Sequence, residues 1–227
     1  MFKTNVIVSE KKWHKNLFLN LKNQYLETNW ILIEQKNIFK INFLKNYDVN
    51  KIFIPHWSYL IKDEIYKNYE CIIFHMTDLP FGRGGSPLQN LIVRNFKKTK
   101  ISAIRVEKGI DTGPVYLKKD LDLGGTALEI FQRSSDIIYN MISQIIDNKI
   151  IPKPQKGRIS KFKRRTPEQS NIFLLDDLSK VYDYIRMLDC DGYPKAFLES
   201  NKLKFEFSNV KFTSKNELKA NVSISKK

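Results

Sequence analysis

The sequence predicts an α/β protein with a mostly parallel sheet, followed by a short α+β subdomain at its C-terminal end. Apolar runs of strand length alternate with helical stretches over the first 150 residues, an order typical of parallel sheets buried on both faces. Residues 203–207 instead alternate apolar and polar side chains, as a half-buried strand does. With 227 residues, 42% hydrophobic and only 9 glycines and 8 prolines, the chain can bury a core without disulfides or metals. Disorder and a fibrous repeat are excluded.

The predicted elements follow from apolar periodicity and from capping residues. The predicted strands are residues 5–8, 30–33, 51–54, 70–74, 101–106 and 115–117. The predicted helices are residues 11–21, residues 58–69 capped by Ser58, residues 88–96 after Ser86 and Pro87, and residues 126–149 with a Thr126/Glu129 capping box. Further along, residues 177–188 are a predicted helix, and the tail from Lys219 is a predicted last strand.

The chain is expected to divide near residue 150. Pro152, Pro154 and Gly157 interrupt both periodicities and indicate a linker. The sequence therefore predicts a larger α/β domain at residues 1–150, a basic linker at 151–170 and a small subdomain at 171–227.

The chain is strongly basic, with a formal charge of +15 from 39 Lys and Arg against 24 Asp and Glu. Such a charge makes nucleic acid the first partner to consider. The cations are scattered, however, and only residues 153–165 concentrate seven of them without an acid. Diphosphates, polyglutamate tails and RNA all fit that segment.

Cysteine usage and hydropathy indicate a cytoplasmic location. Cys71 and Cys190 lack metal-ligand or disulfide-framework spacing. The apolar run near the start is too short for a signal peptide, and no stretch is long enough to cross a bilayer. The protein is therefore expected to be soluble, with no membrane partner.

Two residues stand out as candidates for chemistry. His75 lies at the predicted carboxyl end of the strand CIIF, where open parallel sheets bind ligands, and a glycine-rich loop and a helix start follow it. Asp111 lies in the turn KGIDTGP between two predicted strands. A histidine and a carboxylate are the groups that acid-base catalysis uses.

The segment HMTDLPFGRGGSP, which begins at His75, resembles a signature of the formyltransferases that use 10-formyltetrahydrofolate. A second motif of that family, Asp-x-Gly, is matched by Asp111-Thr112-Gly113, which begins 36 residues after His75. The resemblance is best over residues 72–120 and fair over residues 164–197. It implies a Rossmann-like formyltransferase domain at residues 1–150, with 10-formyltetrahydrofolate as formyl donor and no metal.

The resemblance also implies a role for each site residue. His75 and Asp111 would be catalytic, with His75 at the oxyanion and Asp111 relaying the amine proton. The residues expected to hold the pterin, largely through backbone groups, are His56, Trp57, Ser58, Leu79, Lys108, Gly109 and Ile110. The residues expected to contact the acceptor are Thr77, Arg83, Gly84, Gly85, Ser86 and Gln89.

One position departs from the family pattern. Ile73 stands where the family usually has Asn, two residues before the histidine, so the oxyanion donor is unassigned. Protonated His75, a backbone N–H, Thr77 or Gln89 could replace it. We expect Ile73 to pack in the sheet.

The segment HMTDLPFGRGGSPLQNLI resembles the corresponding segment of the subgroup that formylates amino sugars for surface glycans, and that of a related formylation domain of a peptide synthetase. The expected function is therefore formylation of a nucleotide-linked amino sugar. The expected partners are that sugar and folate, without nucleic acid, and a homodimer is allowed. Methionyl-tRNA formylation is the alternative. The short chain argues against it, and so does Ile73 in place of the family's Asn. Glycinamide ribonucleotide formylation and a basic RNA-binding module carry less weight.

The basic segment 153–165 separates the two leading acceptors. A sugar diphosphate needs little charge, whereas tRNA would be bound with a steep dependence on salt. Because cations in a proline-containing linker are usually solvated, the expectation is a shallow dependence.

Overall fold

The computed structural model describes residues 2–227, and its main feature is a six-stranded sheet. The strands of this sheet are β1 (Thr4–Ser9), β2 (Asn29–Ile33), β3 (Val49–His56), β4 (Cys71–His75), β6 (Lys98–Arg105) and β7 (Val115–Asp122). Their order is β2-β1-β3-β4-β6-β7. The first four strands are parallel to one another, and β6 runs antiparallel to β4. The predicted α/β class with a mostly parallel sheet is confirmed.

Helices and shorter strands connect this sheet and complete the chain. The helices are α1 (Lys15–Gln24), α2 (Ile41–Leu44), α3 (Asp63–Tyr66), α4 (Pro87–Ile92), α5 (Ala127–Asp147) and α6 (Leu178–Arg186), with 3-10 turns at Lys12–His14 and Pro167–Ser170. The remaining strands are β5 (Arg83–Gly84), β8 (Lys161–Phe162), β9 (Ala196–Glu199), β10 (Leu203–Ser214) and β11 (Glu217–Lys226). Of residues 2–227, no helix is both long enough and apolar enough to span a membrane.

The residues group into two compact units. Among the described residues, the first contains 2–84, 99–121 and 132–161, and the second contains 85–98, 122–131 and 162–227. The units interleave along the chain, so the division at residues 150 and 170 stays a prediction about domain organisation.

The core of the first unit lies on the sheet. Its buried cluster takes side chains from β1, β2, β3 and β4 together with those of the short helices α2 and α3, among them Val6, Ile33, Leu44, Ile54 and Ile65. These strand residues are apolar on both faces, as the sequence pattern predicts for a parallel sheet.

The second unit contains an antiparallel sheet in the order β11-β10-β9. Arg186 of α6 is 4% exposed and donates to Asp183 Oδ1 at 2.6 Å and to the carbonyl oxygens of Leu123 and Gly125. A buried guanidinium needs such a full set of acceptors, and these bonds tie α6 to the loop before α5. The predicted helix near residue 177 begins as expected, because Asp177 caps it by accepting from the Lys180 N–H.

Helix ends show where local sequence decides structure. The Thr126/Glu129 capping box of α5 is confirmed: Thr126 N–H donates to Glu129 Oε2 at 2.7 Å, and Glu129 N–H donates to Thr126 Oγ1 at 3.3 Å. Pro87 is the first residue of α4 as predicted, but Ser86 does not cap the helix through its side chain. Its φ of 51° turns the chain, and its Oγ accepts from the Arg165 N–H instead.

The predicted helix at residues 58–69 is wrong over its first half. Only α3, four residues long, forms there, and it starts at Asp63. Trp57 and Tyr59 pack edge to face at 5.2 Å between ring centroids, and Phe39 meets Trp57 in the same way at 5.9 Å. This aromatic packing favours a loop and outweighs the helix propensity of the segment.

Ile73 packs in the sheet, as expected. Its register partners are Ile54 of β3 and Ile104 of β6, and its half-buried side chain rests on the core cluster of the first unit. We expect Ile73→Ala to lower the free energy of unfolding by about 2 kcal/mol, the lower end for aliphatic truncation, because burial is incomplete. Urea denaturation measures this, with the 1%-exposed Ile54→Ala as a more damaging comparison. Lost activity at unchanged stability would instead give Ile73 a role in the chemistry.

Candidate active site

His75 is the last residue of β4, so the chain places it at the carboxyl edge of the four parallel strands. The ring is buried and lies between two acceptors. Its Nε2 is 2.8 Å from the Gly82 carbonyl oxygen, and its Nδ1 is 3.5 Å from Asp111 Oδ2. A carbonyl oxygen can only accept, so Nε2 carries a proton in this arrangement. His75 therefore presents an N–H toward the glycine loop and its other nitrogen toward a carboxylate.

Asp111 is held in place by backbone groups. Its Oδ2 accepts a hydrogen bond from the Gly84 N–H at 2.8 Å, and its own φ of 53° is in the left-handed region. Gly113 makes the loop feasible, because a Cβ at this position would lie 1.7 Å from the Arg105 carbonyl oxygen. The Asp-x-Gly spacing thus has a steric origin: the glycine lets the loop approach β6 closely and aims the carboxylate at His75.

Hydrogen bonds to Ser160 hold the glycine loop, residues 81–85, that follows His75. Gly82 N–H donates to Ser160 Oγ at 2.8 Å, and Arg83 N–H donates to the Ser160 carbonyl oxygen at 3.0 Å. Ser102, fully buried, donates to the Thr77 carbonyl oxygen at 2.7 Å. Ser160, in the segment predicted as a linker, therefore holds the glycine loop, and Ser102 of β6 holds Thr77 at the start of the chain that leads into that loop.

Sequence reasoning missed Gln155. Its Oε1 accepts from both Nε (3.2 Å) and Nη2 (2.7 Å) of Arg83, and its Nε2 donates to the carbonyl oxygens of Asp111 (2.9 Å) and Gly113 (2.8 Å). One side chain therefore connects the glycine loop with the Asp111 loop. The sequence gives no signal for Gln155, because a single Gln in a Pro- and Lys-rich stretch predicts a linker.

We expect Gln155→Leu to lower kcat about tenfold or more while leaving the KM for folate nearly unchanged, because Asp111 loses its support and a small displacement weakens catalysis steeply. Gln155→Glu keeps the acceptor for Arg83 but loses the donor, so it should be almost as damaging. Steady-state kinetics measure both, and exposed Gln132→Leu is the matched control. Equal kcat in all three variants would remove Gln155 from the site.

The residues predicted to contact the acceptor divide between the two units. In the first unit, Arg83 and Gly84 adjoin Asp111 through the bonds just described, whereas Thr77 is fully buried and bonds the Gly82 carbonyl oxygen at 3.4 Å. In the second unit, Gln89 donates to the Met187 carbonyl oxygen at 3.1 Å, and a Cβ at Gly85 would lie only 2.8 Å from the Arg164 Cα. Ser86 is half-buried in the same unit. The side chains of Thr77 and Gln89 are thus engaged inside the protein.

The residues predicted to hold the pterin all lie in the first unit. Ile110 is 59% exposed, and the whole Lys108–Ile110 turn is open to solvent. The Lys108 carbonyl oxygen accepts a hydrogen bond from Thr112 Oγ1 at 2.9 Å. Leu79 is fully buried, so it can shape a site but not offer its side chain. The remaining three, His56, Trp57 and Ser58, end β3 and begin the aromatic loop. An exposed backbone turn and an aromatic loop suit a planar, hydrogen-bonding pterin.

His56 packs in an aromatic group with the half-buried Trp13 and the buried His14, and is itself half-buried by side-chain exposure. The His56 ring lies 5.7 Å from the Trp13 ring and 6.4 Å from that of His14, and His14 Nδ1 is 3.0 Å from Ser135 Oγ. Burial, then the neighbouring His56 and Lys11, lower the pKa of His14 to about 3. Burial and then Lys11 lower the pKa of His56 to about 3 as well. Both rings are therefore neutral in the folded protein near pH 7.

This predicts a pH dependence of stability. A histidine whose folded pKa is depressed takes up its proton on unfolding, so stability falls as pH drops below the unfolded value near 6.5 and continues to fall toward pH 3. His14, which is 1% exposed, should account for about 2 kcal/mol lost between pH 7 and pH 5. Urea unfolding at both pH values measures the loss, and His14→Gln should reduce it. An equal loss in the variant would contradict the assignment.

Among residues 2–227, no group of three or more His, Cys, Asp or Glu side chains has an arrangement that could hold a metal ion.

Known proteins share this fold. A model of the methionyl-tRNA formyltransferase C-terminal domain matches residues 167–225. A solved structure titled methionyl-tRNA formyltransferase, from Clostridium thermocellum, is 45% identical, with a TM-score of 0.95 and complete coverage of both chains. The methionyl-tRNA formyltransferase of Rickettsia bellii (strain RML369-C) is 26% identical over 70% of this chain and 54% of its own. The chain thus spans about half the length of the curated relatives it matches.

The identity of 45% over the whole of both chains is high enough to assign this chain to a protein family. The chain belongs to the formyltransferase family. A structure of HypX from Aquifex aeolicus in complex with tetrahydrofolic acid shares the fold, with a TM-score of 0.79 and 16% identity over 91% of this chain and 37% of its own. The predicted folate donor agrees with this family.

The predicted acceptor was wrong. The sugar formyltransferase structures that share the fold are only 13% to 20% identical, against 45% for the Clostridium thermocellum chain. The short chain does not count against a tRNA substrate. The Clostridium thermocellum chain aligns with this one over its full length, and its title is methionyl-tRNA formyltransferase. The amino-sugar substrate, the glycan keywords and the expected absence of nucleic acid are therefore withdrawn.

Proposed function

We propose that this chain is a methionyl-tRNA formyltransferase that moves a formyl group from 10-formyltetrahydrofolate to the amine of methionyl-tRNA. The observation that carries the proposal is the 45% identity over the whole of both chains with the Clostridium thermocellum structure of that title. The match of the C-terminal residues to the methionyl-tRNA formyltransferase domain model supports it. We place the reaction in the cytoplasm, where charged tRNA is found.

The catalytic pair has the groups that this reaction requires. The amine attacks the formyl carbon, the carbonyl oxygen becomes an oxyanion, and the bond from carbon to the folate nitrogen then breaks. His75 Nε2–H, now 2.8 Å from the Gly82 carbonyl oxygen, would turn to the oxyanion as donor. Asp111 would accept the proton that the ammonium loses and pass one to the leaving nitrogen.

Ile73 cannot take part in this donation, because its side chain is apolar and packs in the sheet. Thr77 is engaged with the Gly82 carbonyl oxygen. The oxyanion donor is therefore His75 itself, because the N–H groups of Gly82 and Arg83 donate to Ser160 and that of Gly84 donates to Asp111. The folate would lie against the open Lys108–Ile110 turn and the loop after β3.

The basic segment at residues 153–165 supplies charge for the tRNA. Six of its seven cations are exposed: Lys153, Lys156, Arg158, Lys161, Lys163 and Arg164. Arg165 is half-buried, with its guanidinium 5.2 Å over the Tyr184 ring, so it serves the fold of the second unit. The six exposed cations would contact the tRNA phosphates, and the segment contains no Asp or Glu that would repel them.

Initial rates of formylation test the proposal. The purified chain is given 10-formyltetrahydrofolate and one of four acceptors: methionyl-tRNA, free methionine, another aminoacyl-tRNA or a nucleotide-linked amino sugar. We expect kcat/KM for methionyl-tRNA to exceed each of the others by at least about a hundredfold, which is about 2.7 kcal/mol of transition-state binding. A higher value for the amino sugar, or no formylation of methionyl-tRNA, would refute the proposal.

A further inference from the structure

A cavity of about 730 Å³ opens in the first unit, apart from the catalytic pair. Its walls come from the residues that follow β1, β2 and β3, so it lies at the same carboxyl edge of the parallel sheet as His75. Neither His75 nor Asp111 lines it. Its volume is in the range of small-molecule sites, and this edge is where open parallel sheets bind ligands.

One wall of the cavity is aromatic. Phe39, Trp57 and Tyr59 form a chain of rings in edge-to-face contact, and Ile65 forms an apolar floor that is 1% exposed. Tyr59 remains 40% exposed, so its ring is available to a ligand. Such a wall suits a flat heterocycle, because stacking on aromatic rings accepts any base.

The rim of the cavity is charged with both signs. Glu10 follows β1 and Glu34 follows β2, and both side chains are exposed. Lys40 also lines the rim, and Lys36 holds its Nζ 4.1 Å above the Tyr59 ring. A carboxylate directly after the second strand of such a sheet is well placed to accept hydrogen bonds from ribose hydroxyls. Lysines bind phosphate as point charges.

We propose that this cavity is a ribonucleotide subsite. The base stacks on the exposed Tyr59 ring, which leaves the backbone of residues 56–58 to the folate. The ribose hydroxyls donate to Glu34, and the phosphate meets Lys36 and Lys40. A purely apolar ligand would leave the charged rim unused, and a ligand carrying carboxylates on its tail would meet Glu10 and Glu34. The nucleotide is the class that uses both the rings and both signs of charge.

The occupant has two sources, a free nucleotide or the unpaired 3′ end of a tRNA. The second source rests on the proposed function. Neighbouring strands are about 4.8 Å apart, so the cavity at β2, β1 and β3 is within roughly 5 to 15 Å of His75 on β4. An amino acid esterified to a nucleotide bound there could reach the catalytic pair.

Calorimetric titration of the whole chain tests the subsite without the reaction. The probes are AMP, its 2′-deoxy form and the trinucleotide CCA. We expect AMP to bind with a Kd below about 1 mM and the deoxy form to bind at least about fivefold more weakly. Glu34→Gln should weaken AMP at least about fivefold and abolish the preference for ribose, an effect that a general loss of packing would not produce.

Two matched controls accompany this titration. Glu27→Gln removes an exposed carboxylate from the loop before β2, at the opposite edge of the sheet, and should leave all three affinities unchanged. Tyr59→Phe keeps the stacking ring and should retain AMP binding, whereas Tyr59→Ala should lose about tenfold.

The outcomes separate the two sources and the two proposals. Binding of CCA at least about tenfold tighter than AMP assigns the subsite to the tRNA end, and equal binding assigns it to a free nucleotide. AMP binding in a chain that does not formylate methionyl-tRNA would keep the subsite and remove the proposed function. A wild-type chain that formylates methionyl-tRNA yet binds neither AMP nor CCA at several millimolar, or a ribose preference that survives Glu34→Gln, would overturn the subsite.

Discussion

His75→Ala is expected to lower formyl transfer by at least about a hundredfold, and Asp111→Asn by a similar factor. His75 is the side chain that presents a buried N–H at the loop, and Asp111 is the carboxylate 3.5 Å from its other nitrogen. The asparagine keeps the size of Asp111 and can still accept from the Gly84 N–H, so the loop should survive while the proton acceptor is lost. The loss should therefore be in kcat.

Folate binding provides the control for this prediction. Because the pterin is expected to contact backbone groups, calorimetry should show a Kd for folate within about threefold of wild type in both variants. Asp136→Asn makes the same chemical change on the exposed surface of α5 and should leave kcat unchanged. Near wild-type turnover in either site variant would mean that the pair has been misassigned.

The affinity for methionyl-tRNA is expected to fall about a thousandfold between 50 and 200 mM salt. Six phosphate contacts from the exposed cations of residues 153–165 would give a log-log slope of roughly −5. Each cation removed should lower the slope by about one, so the double variant Lys156→Ala with Arg158→Ala should bring it near −3. This replaces the shallow dependence expected for a sugar diphosphate.

Filter binding at several salt concentrations measures the slope, with uncharged tRNA as a second ligand. Lys22→Ala with Lys45→Ala removes two exposed cations from elsewhere in the first unit and should not change it. A slope shallower than about −2 in the wild-type chain would show that the basic segment does not bind the tRNA backbone.

Most of the sheet could be predicted because each of its first four strands is apolar on both faces, a pattern that few other structures produce. The Thr126/Glu129 capping box is equally local and was also predictable. The predictions that failed concern residues whose conformation is set by tertiary contacts. The loop after β3 loses its predicted helix to ring packing, and Ser86 adopts a left-handed conformation and bonds Arg165 from a distant part of the sequence.

The candidate site shows the same division. His75 and Asp111 could be named from the sequence because motif and spacing accompany them. Gln155 could not, because its role arises only from hydrogen bonds to Arg83 and to the Asp111 loop, more than 40 residues away. The predicted acceptor was wrong because charge and chain length do not distinguish a diphosphate from a tRNA backbone, and only the comparison over the whole chain counts against the sugar.

The most direct measurement follows the formyl group itself. Isotopically labelled 10-formyltetrahydrofolate and methionyl-tRNA are mixed with excess enzyme for a single turnover, the ester is cleaved, and the released amino acid is examined by mass spectrometry. We predict labelled N-formylmethionine from the wild-type chain and unmodified methionine from His75→Ala over the same interval. Unmodified methionine from the wild-type chain, with the label still on the folate, would contradict the account.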